Sequence, residues 1–381
     1  MNLAAPTPLK YLILFVFCFL LSVLLNGILL KFSRNLGKRN VVESIVRWAS
    51  EQKPSFGGIS FYIVFLISYS IYTIFFSKGE SGINIQNLGI LMACGIAFLM
   101  GLSDDAYNTK PLLKLSVQLI SGLILVSTGT YITLFDIEIL NYLITIIWVV
   151  ALMNSINMLD NMDAITTTVS AFISLTMLTI GFYNGFNSSE PFLITSLLSV
   201  FAALCGFLIY NWNPSKMFMG DTGSQFLGIF LSAFAIIYLW NYKQPSGLEY
   251  PTKQIVFVAL AFIVPAIDTA TVIINRLKKG QSPFVGGKDH TTHHLSYHGL
   301  SDRQVALVMG ALSLTSFLII WAFVHFNLDW NIWFTIGGFT YFVVHFFWLY
   351  RITLKHKYRD LHNIPVQNGA KQKEIEERVD Y

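Results

Sequence analysis

The sequence predicts an all-α, polytopic membrane protein, and three observations carry that expectation. Of the 381 residues, 54% are hydrophobic and only 12% are charged, whereas a soluble domain carries about 25% charged residues. That leaves too little polar surface to cover a water-soluble globule. The mean hydropathy is +0.58. The apolar residues gather into roughly eleven runs, each near the ~20 residues that a spanning helix needs.

The first run, 9–30, has no small-residue cleavage site behind a short apolar core, so it reads as a retained helix and not a signal peptide. The second, 57–77, follows Lys53-Pro-Ser-Phe-Gly-Gly58, a predicted re-entry turn into that span with Lys53 as a phosphate candidate. Run 87–103 ends on Asp104 and Asp105, and run 112–129 begins beside Lys110 and Lys114. Run 138–154 passes into a polar segment that ends at Asp163. Runs 164–183 and 191–210 follow, and Pro214 stops the second of these. Thr222 to Ser224 open run 222–241, and run 254–275 contains Pro265 and Asp268. Runs 304–326 and 331–350 complete a transmembrane domain over 1–350, and 351–381 form a polar tail. Cys18, Cys94 and Cys205 lie inside apolar runs, at spacings that suit neither a disulfide framework nor zinc.

Lysine and arginine mark the cytoplasmic side of a membrane protein. With eleven spans, one set of connections holds only Lys10, Lys78, Lys243 and Lys253 of the 25 Lys and Arg. The N-terminus is therefore expected outside and the C-terminus in the cytoplasm. The net charge of +4 forms no basic stripe, which excludes a nucleic-acid partner. In this topology four polar clusters all face the cytoplasm.

Asp104 and Asp105 form the first cluster. Adjacent carboxylates at a membrane boundary are costly unless a divalent cation or a shared proton lies between them. Lys110 and Lys114 add positive charge for a phosphate. The second cluster has polar residues at Asn154, Asn157, Asp160 and Asp163, a three-residue repeat that keeps them near one helix face for a turn or two. A break is expected after Asp160. Such amides and carboxylates suit a uracil edge, ribose hydroxyls or a metal. The third cluster runs from Asn211 to Ser224. Gly220 and Gly223 allow a tight backbone around Asp221 at a helix N-terminus, which is a ready anion site. The fourth cluster is Lys288-Asp-His-Thr-Thr-His-His-Leu-Ser-Tyr-His298. Its imidazoles are read as charge-assisted donors to phosphate oxygens and not as zinc ligands. Asp268, at membrane depth, is a functional candidate by its position alone.

Together these motifs resemble the polyprenyl-phosphate N-acetylhexosamine-1-phosphate transferase family. It includes the bacterial enzymes that start O-antigen, enterobacterial common antigen and wall teichoic acid, and the phospho-MurNAc-pentapeptide translocase. The likeness runs from about Lys53 to about His294. It implies Asp221 and Asp105 as Mg²⁺ ligands, and Asp104, Asp105 and Asp221 as the catalytic carboxylates. It also implies Lys114 near the diphosphate and Asn154, Asn157, Asp160, Asp163 and Asn211 in the nucleotide pocket. His293 and His294 match the histidine pair. Where the family often has Asp-Gly-x-Asp-Gly, this chain has Asn161 and Ala164 in place of the glycines. Its histidine element is one residue longer, which leaves His290 without a carried-over role. The pentapeptide branch has a lysine where this chain has Asn108.

The resemblance implies transfer of N-acetylhexosamine-1-phosphate, with GlcNAc the preferred sugar, from a UDP-sugar to undecaprenyl phosphate, with release of UMP. The place is the cytoplasmic face of a bacterial plasma membrane. The cofactor is Mg²⁺, with Mn²⁺ as a substitute, and a homodimer is left open. The rival readings are the pentapeptide transferase and, in another class, a secondary transporter. A transporter would place its charges near the midplane, where here only Asp268 lies.

Overall fold

The computed structural model describes residues 7–35, 53–75, 84–183, 191–242, 251–283 and 286–355. Among them every regular element is helical. In chain order these are α1 (Thr7–Asn35), α2 (Gly57–Phe75), α3 (Ile85–Tyr107), α4 (Pro111–Ser127), α5 (Glu138–Leu159), α6 (Ile165–Tyr183) and α7 (Pro191–Asn211). There follow α8 (Gly220–Ala235), α9 (Pro251–Ala261), α10 (Ile263–Lys278), α11 (Thr291–Tyr297), α12 (Asp302–His325) and α13 (Ile332–Lys355). A short π-helical turn, Ile236–Trp240, extends α8.

Among the described residues, eight helices are long and apolar enough to cross a bilayer, and the bent pair α9 and α10 supplies a ninth. The predicted runs at 57–77 and 112–129 correspond to shorter apolar helices, Gly57–Tyr72 and Pro111–Ser127. The protein is an all-α, multi-pass membrane protein. The last helix continues to Lys355, past the predicted limit at 350, and the rest of the tail lies outside the described residues.

The bundle is built around α8. Of its apolar window 94% is buried, against 22% for α1 and 11% for α13. Helices α2, α3, α5 and α6 pack on it, and α7 ties α1, α2 and α6 together. Phe226, Phe230 and Phe234 recur every four residues and therefore stack along one face of α8, with Phe230 and Phe234 4.3 Å apart. Phe65 of α2 meets Phe226 and Phe230 of this ladder. On the periphery, Leu12, Ile13, Trp333 and Val344 point outward. Such an apolar exterior suits lipid, where only structures that satisfy their own backbone groups survive.

The Gly57-Gly58 pair follows the non-helical segment 53–56 and starts α2, where its N–H groups donate to Phe218 O (3.2 Å) and Met219 O (3.0 Å). A Cβ on Gly58 would lie 2.1 Å from Gly223 N, so the absence of a side chain lets α2 touch the backbone of α8. The predicted single run 254–275 is two helices bent by 78° at Phe262. Pro265 has no N–H to give the Ala261 carbonyl, so the ladder breaks one turn before it.

Candidate active site

All four polar clusters meet at one end of the bundle. Lys114, on the first turn of α4, pairs with Asp104 Oδ2 and lies 3.9 Å from Asp221 Oδ2. The other oxygen of Asp104 accepts from Thr109 N (2.7 Å) and Thr109 Oγ1 (2.6 Å). Asp104 is therefore engaged on both oxygens and anchors Lys114 toward Asp221. The chain can turn between α3 and α4 because Asn108 takes the left-handed conformation, φ 51°, that caps α3. Asparagine tolerates that region well.

Asp105 points the other way, into the N-terminus of α8. It accepts from Asp221 N (3.1 Å), Thr222 N (2.8 Å) and Thr222 Oγ1 (2.6 Å). The helix end read from sequence as an anion site is thus filled by the protein's own carboxylate. Gly220, at φ +78°, gives the turn its left-handed start. Gly101 lets α3 approach so closely that a Cβ there would lie 2.3 Å from Asp221 O.

Asn157, on the last turn of α5, donates to Asp221 Oδ1 and to Ser224 Oγ (2.8 Å). One turn earlier, Asn154 exchanges hydrogen bonds with Gln118 of α4 (2.8 and 3.3 Å), and Gln118 also reaches Gln225 of α8 (3.3 Å). Helix α5 stops at Leu159, with Asp160 as its C-cap, where the sequence predicts the break. Asp160 lies outside the helix among like charges. Burial, and then the charges of Asp221, Asp105 and Asp163, push its carboxyl up to about 8.

Beyond the break the three-residue repeat no longer shares a face. Asp163 turns to the α7–α8 loop, where it accepts from Ser215 N (2.9 Å), Ser215 Oγ (2.7 Å) and Asn213 Nδ2 (3.0 Å). Lys53 completes this group, 3.8 Å from Asp163 Oδ2. Asn211 is turned inward as well. It accepts from Ala164 N (3.1 Å) and Thr167 Oγ1 (2.7 Å) and donates to Met217 O (3.1 Å). The expectation that Lys53, Asp163 and Asn211 face a ligand is therefore revised, because their polar atoms join the loops that carry Asp160 and Asp221. Ala164 has φ 65°, a left-handed conformation that an L side chain adopts at a cost.

The histidine segment docks on this platform through Thr292, whose Oγ1 donates to Asn161 Oδ1 (2.7 Å). His290 and His293 are both buried, with ring centroids 5.3 Å apart. Burial first, and the neighbouring His290 second, push His293 down to about 3. That direction disfavours the cationic donor expected from sequence. His294, next along the helix, is half-buried and stacks edge-on to Tyr297.

The residue types match a known group. A family model described as glycosyl transferase family 4 matches residues 87–239. A phospho-N-acetylmuramoyl-pentapeptide-transferase of Streptococcus agalactiae is 31% identical over 58% of this chain and 71% of its own length. The chain belongs to glycosyl transferase family 4. Another member, a probable undecaprenyl-phosphate N-acetylglucosaminyl 1-phosphate transferase of Bacillus subtilis, is 29% identical over 67% of this chain and 69% of that protein. A decaprenyl-phosphate N-acetylglucosaminephosphotransferase of Mycolicibacterium smegmatis is 26% identical over 58% of this chain and 59% of that protein. The family match runs from α3 into the π turn after α8 and so contains Asp104, Asp105, Asn157, Asp160 and Asp221. The histidine segment lies beyond it.

Several residues that complete the site were not singled out from sequence: Thr109, Gln118, Ser215 and Gln225. Gln118 and Gln225 carried a usable signal, since an amide within an apolar helix needs a partner. Thr109 and Ser215 carried none, because hydroxyl side chains in loops are ordinary.

Proposed function

We propose that the protein transfers a sugar-1-phosphate, with N-acetylglucosamine-1-phosphate the best-supported cargo, from a UDP-sugar to undecaprenyl phosphate, releasing UMP. One observation carries this reading: Lys114 and Asn157, from α4 and α5, converge on Asp221 at the start of α8. Both reactants are anions, so the protein's task is to offset charge and align the groups.

Mg²⁺ is the proposed cofactor. Among the described residues no three His, Cys, Asp or Glu side chains converge into a closed metal cage. Mg²⁺ is ordinarily held by one or two carboxylates together with substrate phosphates, and Asp221 with Asp160 fits that donor set in place of the expected Asp221 with Asp105, because the Asp105 oxygens are taken up by the start of α8. The charge crowding on Asp160 is of the kind a divalent cation relieves. When bound, the ion would neutralise the diphosphate and polarise its phosphorus–oxygen bonds.

The chain's own residues do the rest. Asn157 orients Asp221 by donating to one of its oxygens, and Asp104 holds Lys114 where its ammonium meets phosphate oxygens. Asp105 fixes the helix end on which Asp221 stands. His293 and His294 stand on the helix that Thr292 docks against the Asp160 loop. In this reading the lipid phosphate oxygen attacks the β-phosphorus of the nucleotide sugar in line, and the UMP oxygen leaves. The active end faces the cytoplasm by the distribution of Lys and Arg.

The N-acetylglucosamine branch is favoured over the pentapeptide branch by Asn108. It serves as the left-handed cap of α3, at a position where the pentapeptide branch carries a lysine. The test uses membranes containing the protein, radiolabelled UDP-GlcNAc, undecaprenyl phosphate and Mg²⁺. Label should enter the organic phase, and EDTA should prevent it. Asp221→Asn should abolish the transfer while the protein remains folded. Transfer that persists in Asp221→Asn would remove the assignment, and failure with every UDP-N-acetyl sugar would remove the function.

A further inference from the structure

Asp268 lies on α10 and is 1% exposed. Its carboxylate faces the histidine segment. Oδ1 accepts from Thr291 N (2.8 Å) and Thr291 Oγ1 (2.6 Å), and Oδ2 is 2.8 Å from His290 Nδ1. Asp268 therefore caps α11 and grips the residue in front of it. Arg276, two turns further along α10, is engaged elsewhere. Its guanidinium makes two bonds to Asp289 (2.8 and 2.7 Å) and a third to Pro283 O (2.8 Å).

Helix α10 is itself fastened to α5. Ser155 Oγ donates to Pro265 O (2.9 Å) and lies 2.7 Å from Thr269 Oγ1. Ser155 stands two positions before Asn157. At the far end of this connection, Thr292 of α11 is bonded to Asn161, next to Asp160. The contacts form a closed ring, from α5 to α10, from Asp268 to α11, and from Thr292 back to the end of α5. This ring joins the segment that carries Asn157 and Asp160 to the helix that carries His293 and His294.

We infer that Asp268 is a positioning residue: by capping α11 and holding His290, it sets the distance between the histidine pair and the carboxylates on α5 and α8. This rests on the proposed transfer reaction. It also assigns His290 a role, as the second member of a buried pair that touches no substrate. A cap alone would need only the Thr291 bonds. The additional His290 contact fixes the rotation of α11 about its axis, and that rotation decides which way His293 and His294 face.

The test compares Asp268→Ala, His290→Gln and the double variant, as full-length protein in nanodiscs. Asp268→Ala should raise KM for the UDP-sugar by about fivefold or more and lower kcat, which marks lost alignment in both states. The double variant should be no worse than about twofold below the worse single variant, because the two act as one unit. Amide exchange across residues 288–298 should quicken by about tenfold in Asp268→Ala while α8 stays protected. The inference is overturned if KM is unchanged and activity falls only in proportion to folded protein, or if α11 exchange is unaltered. Should Asp268→Ala fail to fold, Thr291→Val and His290→Gln carry the same KM and exchange readings. Wild-type protein without any transfer activity would sink the proposed function, whereas unaltered exchange in folded variants would sink this inference alone.

Discussion

Replacement of Lys114 by methionine isolates the charge that links Asp104 to Asp221. Methionine keeps the unbranched stem and removes only the ammonium. At 3.9 Å, two unit charges attract by about 4 kcal/mol at an effective dielectric of 20. Lys114 is 26% exposed and Asp221 32%, so solvent reduces that to the range of a charged hydrogen bond, about 1.5–3 kcal/mol. If the ammonium acts on the transferring phosphate as it acts on Asp221, turnover falls by roughly 10- to 100-fold. The assay is initial-rate transfer of label from UDP-GlcNAc to undecaprenyl phosphate at saturating Mg²⁺. Lys114→Arg should recover only part of the loss, because the planar guanidinium cannot reproduce a point charge between two carboxylates. A Lys114→Met enzyme within twofold of wild type would refute the reasoning, since it would mean that the ammonium serves only the fold.

Ala164→Gly should stabilise the protein. A left-handed alanine costs about 1–2 kcal/mol, glycine returns about 0.4–1 kcal/mol of that through unfolded-chain entropy, and the thermal midpoint in detergent should rise slightly. A lower midpoint would contradict the observed backbone. Gly101→Ala should push α8 away from α3, with an overpacking cost of about 1–3 kcal/mol, and transfer activity should fall more than stability does because Asp221 moves. Equal activity in the folded variant would show that the contact is slack. The His290 pair gives a pH signature. Burial alone would lower the His290 pKa, but the charge and hydrogen bond of Asp268 raise it overall. Its stabilisation is full below the unfolded value of about 6.5 and is lost as pH rises through the folded value. The melting difference between wild type and His290→Gln should therefore shrink with rising pH, and a constant difference would reject the pair.

Hydropathy alone was enough to locate the long helices, though not the short α11, because a bilayer demands long apolar segments whatever their partners. It was blind to the bend at Phe262, since a broken span and a straight one have the same composition. The pairing of Asp105 with the start of α8 was equally hidden. It joins residues 116 positions apart, and a sequence shows a carboxylate and a helix end but not their encounter. The place of Asp221 at the start of a helix was legible because glycines flank it and Thr222 to Ser224 open an apolar run. Asp163 and Asn211 were misjudged for the opposite reason: a polar residue that secures a loop looks the same in one dimension as one that meets a ligand.

The carboxylate seated on the end of α8 also bears on how a product escapes. A cradle of backbone amides holds any phosphate, single or double. With the amides of Asp221 and Thr222 already occupied by Asp105, the proposed reaction leaves phosphate recognition to Lys114 and a bridging cation, both of which gain most from two adjoining phosphates. Under that reaction the departing nucleotide carries one phosphate instead of two and cannot turn to those two amides, so the same arrangement that grips the donor lets the spent nucleotide go.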